Sequence, residues 1–220
     1  MFMQVRMADG PSDIKACQQL IAEVYGRYYG VTFSYDRVDP DACIESYPDR
    51  YLVGLVNGEI VAVTGLYVEQ TYIERFGGVT NAEIDAMLAA AGVAERYSSR
   101  RKLEATKLVV RDGWTGRGLA RKLHVAAQSR EFLQRDDTQP YIITVCAKLS
   151  VFHHLYTEVG IRTRTIKPFP EYPAHERYRS PKDPMESRLI IPDLDIPSQW
   201  YNFRLPAELD LDRRTRRAPL

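Results

Sequence analysis

The stretch from Leu103 to Leu123, LEATKLVVRDGWTGRGLARKL, restricts most sharply what this chain can fold into. Leu103 to Val110 is a run of apolar and β-branched residues, which reads as a strand. A glycine-rich turn, Arg111 to Gly118, follows it. Leu119, Leu123, Ala126 and Ala127 then recur at helical spacing. Strand, glycine turn and helix together make a cradle for a phosphorylated ligand. Small residues let the backbone approach, and the unpaired N–H groups of the first helical turn point at the phosphate with the helix dipole behind them. No Gly-Lys-Ser/Thr closes the turn, so it is not a Walker loop. It also lacks the three spaced glycines of the dinucleotide fingerprint.

Composition narrows the setting. The chain of 220 residues is long enough for one well-buried core. Its 30 Lys and Arg nearly balance its 29 Asp and Glu, which gives no general attraction to nucleic acid or to acidic membranes. No apolar run approaches the roughly 20 residues that span a bilayer, and the amino terminus has no signal-peptide architecture. Cys17, Cys43 and Cys146 are widely spaced and form neither a metal pair nor a disulfide framework. Together these features predict a cytoplasmic protein with free thiols.

In chain order, Ser12 and Asp13 are expected to cap a helix over 14–28, with Cys17, Leu20, Ile21, Val24 and Tyr25 on its apolar side. Residues 31–50 read as a loop with a short helical piece. Strands over 51–56 and 59–67 are joined by Asn57-Gly58, a strong hairpin signal, and the second is expected to extend to about Tyr72. Asn81 is placed as the cap of a short helix over 82–91, ended by Gly92. After the central unit come a strand over 141–147, a helix over 150–158 and strands near 161–166 and 187–191. From Lys167 onward, prolines, aromatics and charges dominate. The expected fold class is mixed α/β.

The residues of the turn carry a resemblance. Thr115-Gly116-Arg117-Gly118-Leu119-Ala120 resembles motif A of the GNAT superfamily of N-acyltransferases, Arg/Gln-x-x-Gly-x-Gly/Ala, with Thr115 in place of Arg or Gln. Leu155-Tyr-Thr-Glu-Val-Gly160-Ile161 resembles its motif B, Leu-Tyr-x-x-x-Gly-Phe, although Leu149 and Phe152 stand where the family often has Asn and Ala. The resemblance spans about 12–166. It implies the GNAT fold: a central mixed sheet splayed between its fourth and fifth strands, with helices on both faces. It further implies an acyltransferase domain over 1–166. Residues 167–220 would be an extension that packs on the domain or on a homodimer partner and ends in a frayed basic tail.

By that resemblance the donor is acetyl-coenzyme A or another acyl-coenzyme A, and no metal is required. The backbone of Leu108, Val109 and Val110 would pair with the pantetheine amides, while Thr115, Gly116, Arg117, Gly118, Leu119 and Ala120 hold the pyrophosphate. Glu104 would be the general base and Tyr156 the general acid toward the leaving thiolate. Glu104 has bland alternatives: a solvent-facing edge carboxylate, or one paired with Lys107 or Arg101. Glu69, Glu74 and Asp36 stand in reserve, and Glu69, Glu74 or Asp85 could meet a cationic amine. His153 and His154 are adjacent and face different sides of their helix, and His124 and His175 are distant, so a metal site is not expected. Cys146 reads as core. Arg213, Arg214, Arg216 and Arg217 read as a solvated tail.

Glu104-Ala-Thr-Lys107-Leu-Val-Val also resembles the Glu-x-Ser-Arg-Phe-Ala-Val strand of autoinducer and N-acyl amino acid synthases, and Tyr51-Leu-Val their second-strand opening. Gly65, however, stands where autoinducer synthases carry a functional Arg, and Arg27, Phe33 and Asp36 only loosely echo their amino-terminal pattern. A well-formed glycine turn favours coenzyme A over an acyl carrier protein, which brings no adenosine diphosphate. Three readings follow. One is transfer from acyl-coenzyme A to a primary amine of a small molecule. Another is an N-acyl amino acid synthase fed by acyl carrier protein. The last is a non-catalytic acyl-coenzyme A binder. The acceptor site is expected to form from segments 31–50, 68–101 and 167–206.

Overall fold

The computed structural model describes residues 1–39, 42–77, 79–92, 102–127, 129, 132, 141–142, 144–145, 163–166, 189–192 and 204–211. The chain begins with strand β1 (Phe2–Met7), which the sequence reading did not anticipate. Its alternation is nonetheless plain in hindsight, since Met3 and Val5 are fully buried while Phe2 and Gln4 face out. Helix α1 (Gly10–Tyr29) follows and starts earlier than expected. Pro11 fits its first turn, and Asp13 lies inside that turn, where its carboxylate accepts the Asp9 N–H at 2.9 Å and pairs with Arg6. Residues 31–50 contain no helix among those described. They form two short parallel strands instead, β2 (Thr32–Phe33) and β3 (Ile44–Glu45).

The predicted hairpin is present as β4 (Arg50–Val56) and β5 (Glu59–Tyr67), with Asn57 and Gly58 both at positive φ, as a two-residue hairpin turn requires. β5 stops at Tyr67 rather than Tyr72. There Asp49 accepts the Val68 N–H at 2.7 Å, and the chain turns into helix α2 (Tyr72–Gly77). Helix α3 (Asn81–Ala90) is capped by Thr80, one residue before the expected Asn81, because Thr80 and Glu83 exchange both bonds of a capping box. β6 (Lys102–Val110), the glycine turn and helix α4 (Leu119–Ala126) match the sequence reading closely. The strand expected over 141–147 is divided into β7 (Tyr141–Ile142) and β8 (Thr144–Val145). β9 (Thr163–Ile166), β10 (Leu189–Pro192) and β11 (Ala207–Asp210) complete the described elements, and the helix expected over 150–158 lies outside the described residues.

The main sheet runs in the order β11-β1-β4-β5-β6-β7. Its first five strands are antiparallel neighbours, and β7 joins β6 in parallel. β8 instead pairs with β10 in a second sheet, ordered β8-β10-β9. α4 covers one face of the main sheet, where Leu119, Leu123 and Ala126 pack on Val5, Leu52, Leu66 and Leu103. α1 covers the other, where Cys17, Leu20 and Ile21 pack on Val53, Val63 and Val109. Fully burying each Leu or Ile contributes about 1.5–3 kcal/mol, so the two layers fix the sheet between them. No helix of the described residues is long and apolar enough to cross a membrane.

Candidate active site

The site is built on β6, and a bulge in that strand decides its geometry. Val63 pairs with Val109 and Gly65 with Thr106, so two residues of β6 lie opposite the single Thr64. Lys107 takes up the extra length at φ 56, a left-handed conformation uncommon for lysine. The consequence is a change of parity. Leu103 and Ala105 belong to the α4-side core, as do Leu108 and Val110, a slip of one in the usual alternation. Glu104 and Lys107, three apart, therefore share the α1 side of the sheet, where regular alternation would put them on opposite faces.

On that side the two residues enter a sealed polar cluster. Lys107 is 2% exposed and its ammonium pairs with Glu45, itself 1% exposed. Three rings surround the ammonium: Tyr72 at 4.2 Å, Tyr25 at 4.5 Å and Phe33 at 5.5 Å from Nζ to centroid. The Tyr72 hydroxyl donates to Glu45 at 2.9 Å. Burial lowers the Lys107 pKa, while the charges of Glu45 and Glu104 oppose that fall.

Glu104 is 2% exposed, which excludes the solvent-facing alternative. Its carboxyl accepts the Ile73 N–H at 3.2 Å at the start of α2. Burial pushes its pKa up to about 8, against the opposing pull of the Ile73 amide and the Lys107 charge. A carboxyl poised near neutral pH is what proton transfer to and from an amine calls for. Of the reserve carboxylates, Glu74 is spent on the Thr71 N–H and hydroxyl at 3.0 and 2.8 Å, and Asp85 pairs with Lys102 at 2.8 Å. Asp36 and Glu69 lie exposed at the surface.

At the carboxyl end of β6 the chain offers backbone instead. The Arg111 N–H is held by the Val61 carbonyl at 2.8 Å, and the Trp114 N–H by the Arg111 carbonyl at 3.0 Å. Asp112 is tied to the end of α1 by Arg27 and by the Tyr28 hydroxyl at 3.1 Å. Beyond this anchored half, the Arg117 N–H closes a turn onto the Trp114 carbonyl, and the N–H groups of Gly116, Gly118, Leu119 and Ala120 meet no backbone acceptor among the described residues. Gly116 and Gly118 have φ of 77 and 76, and a Cβ on either would meet open space. The loop thus owes its glycines to backbone shape rather than crowding. Thr115 is exposed, and the Arg117 guanidinium lies 4.8 Å from the centroid of the Trp114 ring.

The remaining predicted donor residues contribute main chain. Val109 turns its side chain into the α1-side core, Leu119 is buried in the α4-side core, Leu108 and Val110 pack against that core, and Ala120 is half-buried. Among the described residues, β6 is paired on its β7 side only at Lys102 and Leu103, after which Thr144 and Val145 pair with β10. Beyond Leu103, no further pairing of β6 on that side falls among the described residues, and β8 lies near β6 while pairing with β10. Roughly 20 Å of strand separates Glu104 from the turn at 3.3 Å per residue.

Comparison of the whole structure supplies the decisive likeness. The AHL synthase LasI matches at a TM-score of 0.53 and 12% identity, covering 90% of this chain and 93% of that one. FeeM, an N-acyl amino acid synthase from uncultured soil microbes, matches at 0.52 and 9%, covering 90% and 92%. The fold is that of the GNAT-like N-acyltransferases. No protein-family model and no curated protein matches the sequence. In the main sheet β6 and β7 are the fourth and fifth strands in chain order.

Tyr156 and Cys146 lie outside the described residues. Residues not singled out from sequence include Glu45, Tyr25 and Tyr72, which complete the Lys107 cage. One signal was available. The apolar positions 103, 105, 108 and 110 skip a residue between 105 and 108, which marks the bulge. At Gly65 a Cβ would lie 2.3 Å from Pro48 Cγ, so the position has no room for any side chain.

Proposed function

We propose that this chain is an N-acyltransferase that moves an acetyl or other acyl group from acyl-coenzyme A to a primary amine of a small molecule. One observation carries the reading: β6 runs into a turn with Gly116 and Gly118 at positive φ, where the N–H groups of both glycines meet no backbone acceptor among the described residues at the start of α4. The amides suit the donor pyrophosphate, and by the resemblance the extended arm of the donor pairs along Leu108 to Val110. A β6 N–H aimed at the thioester oxygen stabilises the oxyanion as it forms. Glu104 takes a proton from the acceptor ammonium, through water where the carboxyl is sealed, and the free amine attacks. The C–N bond forms, the C–S bond breaks, and Tyr156 protonates the departing thiolate.

A second reading, an N-acyl amino acid synthase supplied by acyl carrier protein, draws on the likeness to FeeM. Calorimetric titration with coenzyme A and with phosphopantetheine separates the two. Coenzyme A is expected to bind much more tightly, because only it carries the diphosphate that the turn can hold. Equal affinity for both ligands would defeat the first reading. Tight binding without turnover across an amine panel would favour a non-catalytic acyl-coenzyme A binder.

A further inference from the structure

The caged lysine has a task that the proposed chemistry does not yet use. We infer that Lys107 is a positioning residue: caged by three rings and Glu45, its ammonium holds a fixed positive charge against the Glu104 carboxyl. The inference rests on the reading of Glu104 as the base.

Three features of the structure lead to it. The bulge is what brings Lys107 to the face of Glu104, and it does so at a positive φ. The ammonium cannot reach water, so its charge is not screened as a surface lysine's would be. Its other partners fix it in place, with Glu45 on one side and the faces of Tyr25, Phe33 and Tyr72 around it.

The groups facing Glu104 leave no other cation to do this work among those described. Glu74 from α2 is a like charge that disfavours ionisation. Tyr67 from β5 stays protonated, because burial raises its hydroxyl pKa far above the ordinary value. Tyr72 commits its hydroxyl to Glu45. Arg75 lies over the Tyr67 ring and is paired with Asp49. A sealed carboxyl with no positive neighbour would remain a neutral acid and could not take up a proton. Beside the Ile73 and Tyr72 amides, Lys107 is thus the one charged group described that favours the ionised form of Glu104.

The test reads the proton on Glu104 directly. The full chain is labelled with carbon-13 at the glutamate carboxyls, Glu104→Gln assigns the signal, and the signal is titrated. The wild-type midpoint is expected near 8. Lys107→Met is expected to move it up by about one pH unit or more, and Lys107→Arg to return it toward the wild-type value. The acid limb of the pH–kcat profile, with acetyl-coenzyme A and an amine, is expected to follow the same shifts. Should Lys107→Met fail to fold, linkage supplies a second route: Glu104→Gln must lower the midpoint of Lys107 itself, read from lysine labelled at the ε carbon. A Glu104 midpoint unmoved in Lys107→Met, or a lysine midpoint unmoved in Glu104→Gln, overturns the inference and leaves the base reading standing. Full turnover by Glu104→Gln overturns the base reading, and the inference with it.

Discussion

The two ends of β6 are built by opposite means. At the carboxyl end, the turn presents exposed glycine backbone at Gly116 and Gly118, held in shape by a few contacts from α1 and β5. Further back, Glu104 and Lys107 are wholly enclosed, and every polar atom described there answers to another side chain or to α2. The first arrangement tolerates changes of side chain but not of backbone. The second tolerates neither a lost charge nor a lost partner, because an unpaired ion in a sealed site keeps its full desolvation cost.

Substitutions on the two sides should therefore fail differently. Glu45→Ala, which strands the Lys107 charge, is expected to cost about 3–5 kcal/mol of stability. Urea unfolding would measure this, and coenzyme A affinity should be unchanged under folding conditions. A loss below 1 kcal/mol would mean the cluster is wetter than the structure shows. Glu104→Gln should lower turnover by about 100-fold or more without weakening donor binding, and an equal loss in both would merge the two regions into one. Gly118→Val forces a β-branched residue into the left-handed region at a strain of about 1–2 kcal/mol. It is expected to weaken coenzyme A binding about tenfold by titration calorimetry, about 1.4 kcal/mol, with the Glu104 midpoint unmoved.

A further expected effect is on stability against pH. Between its ordinary value of 4.5 and about 8, Glu104 keeps a proton in the folded chain that the unfolded chain releases. Stability therefore falls as pH rises through that window, by about 1.4 kcal/mol per pH unit. His124 acts the other way. Burial lowers it from 6.5 to about 4, so the folded chain holds fewer protons there and stability falls as pH drops through that range. The two slopes offset one another between about 4.5 and 6.5 and leave a net decline from 6.5 to 8. Glu104→Gln should flatten that decline and expose the His124 slope below it. An unchanged curve would show that Glu104 is not sealed.

The same contrast governs what could be read from the sequence. The glycine turn was legible because strand, turn and helix lie within one stretch, and Gly116 and Gly118 occur where positive φ is required. The Asn57-Gly58 hairpin was legible for the same reason. The enclosed cluster was not, because it gathers residues 25, 33, 45, 72, 104 and 107 from five elements. Glu45 looked like any loop carboxylate, and Glu104 could as well have faced solvent. β1 was missed because six residues give a weak alternation at an amino terminus. β5 was overextended because Val68 is apolar, although Asp49 had already claimed its N–H.

The contact between Pro48 and Gly65 limits how this chain could be altered. Autoinducer synthases, by the resemblance drawn above, place a long cation at the position of Gly65, and here a proline ring fills that space. Installing the arginine alone would drive the guanidinium stem into the ring. Exchange of the two residues would have to be concerted, with the proline removed first. Any redesign toward homoserine-lactone chemistry thus starts in the loop before β4 and not in the strand that would carry the new charge.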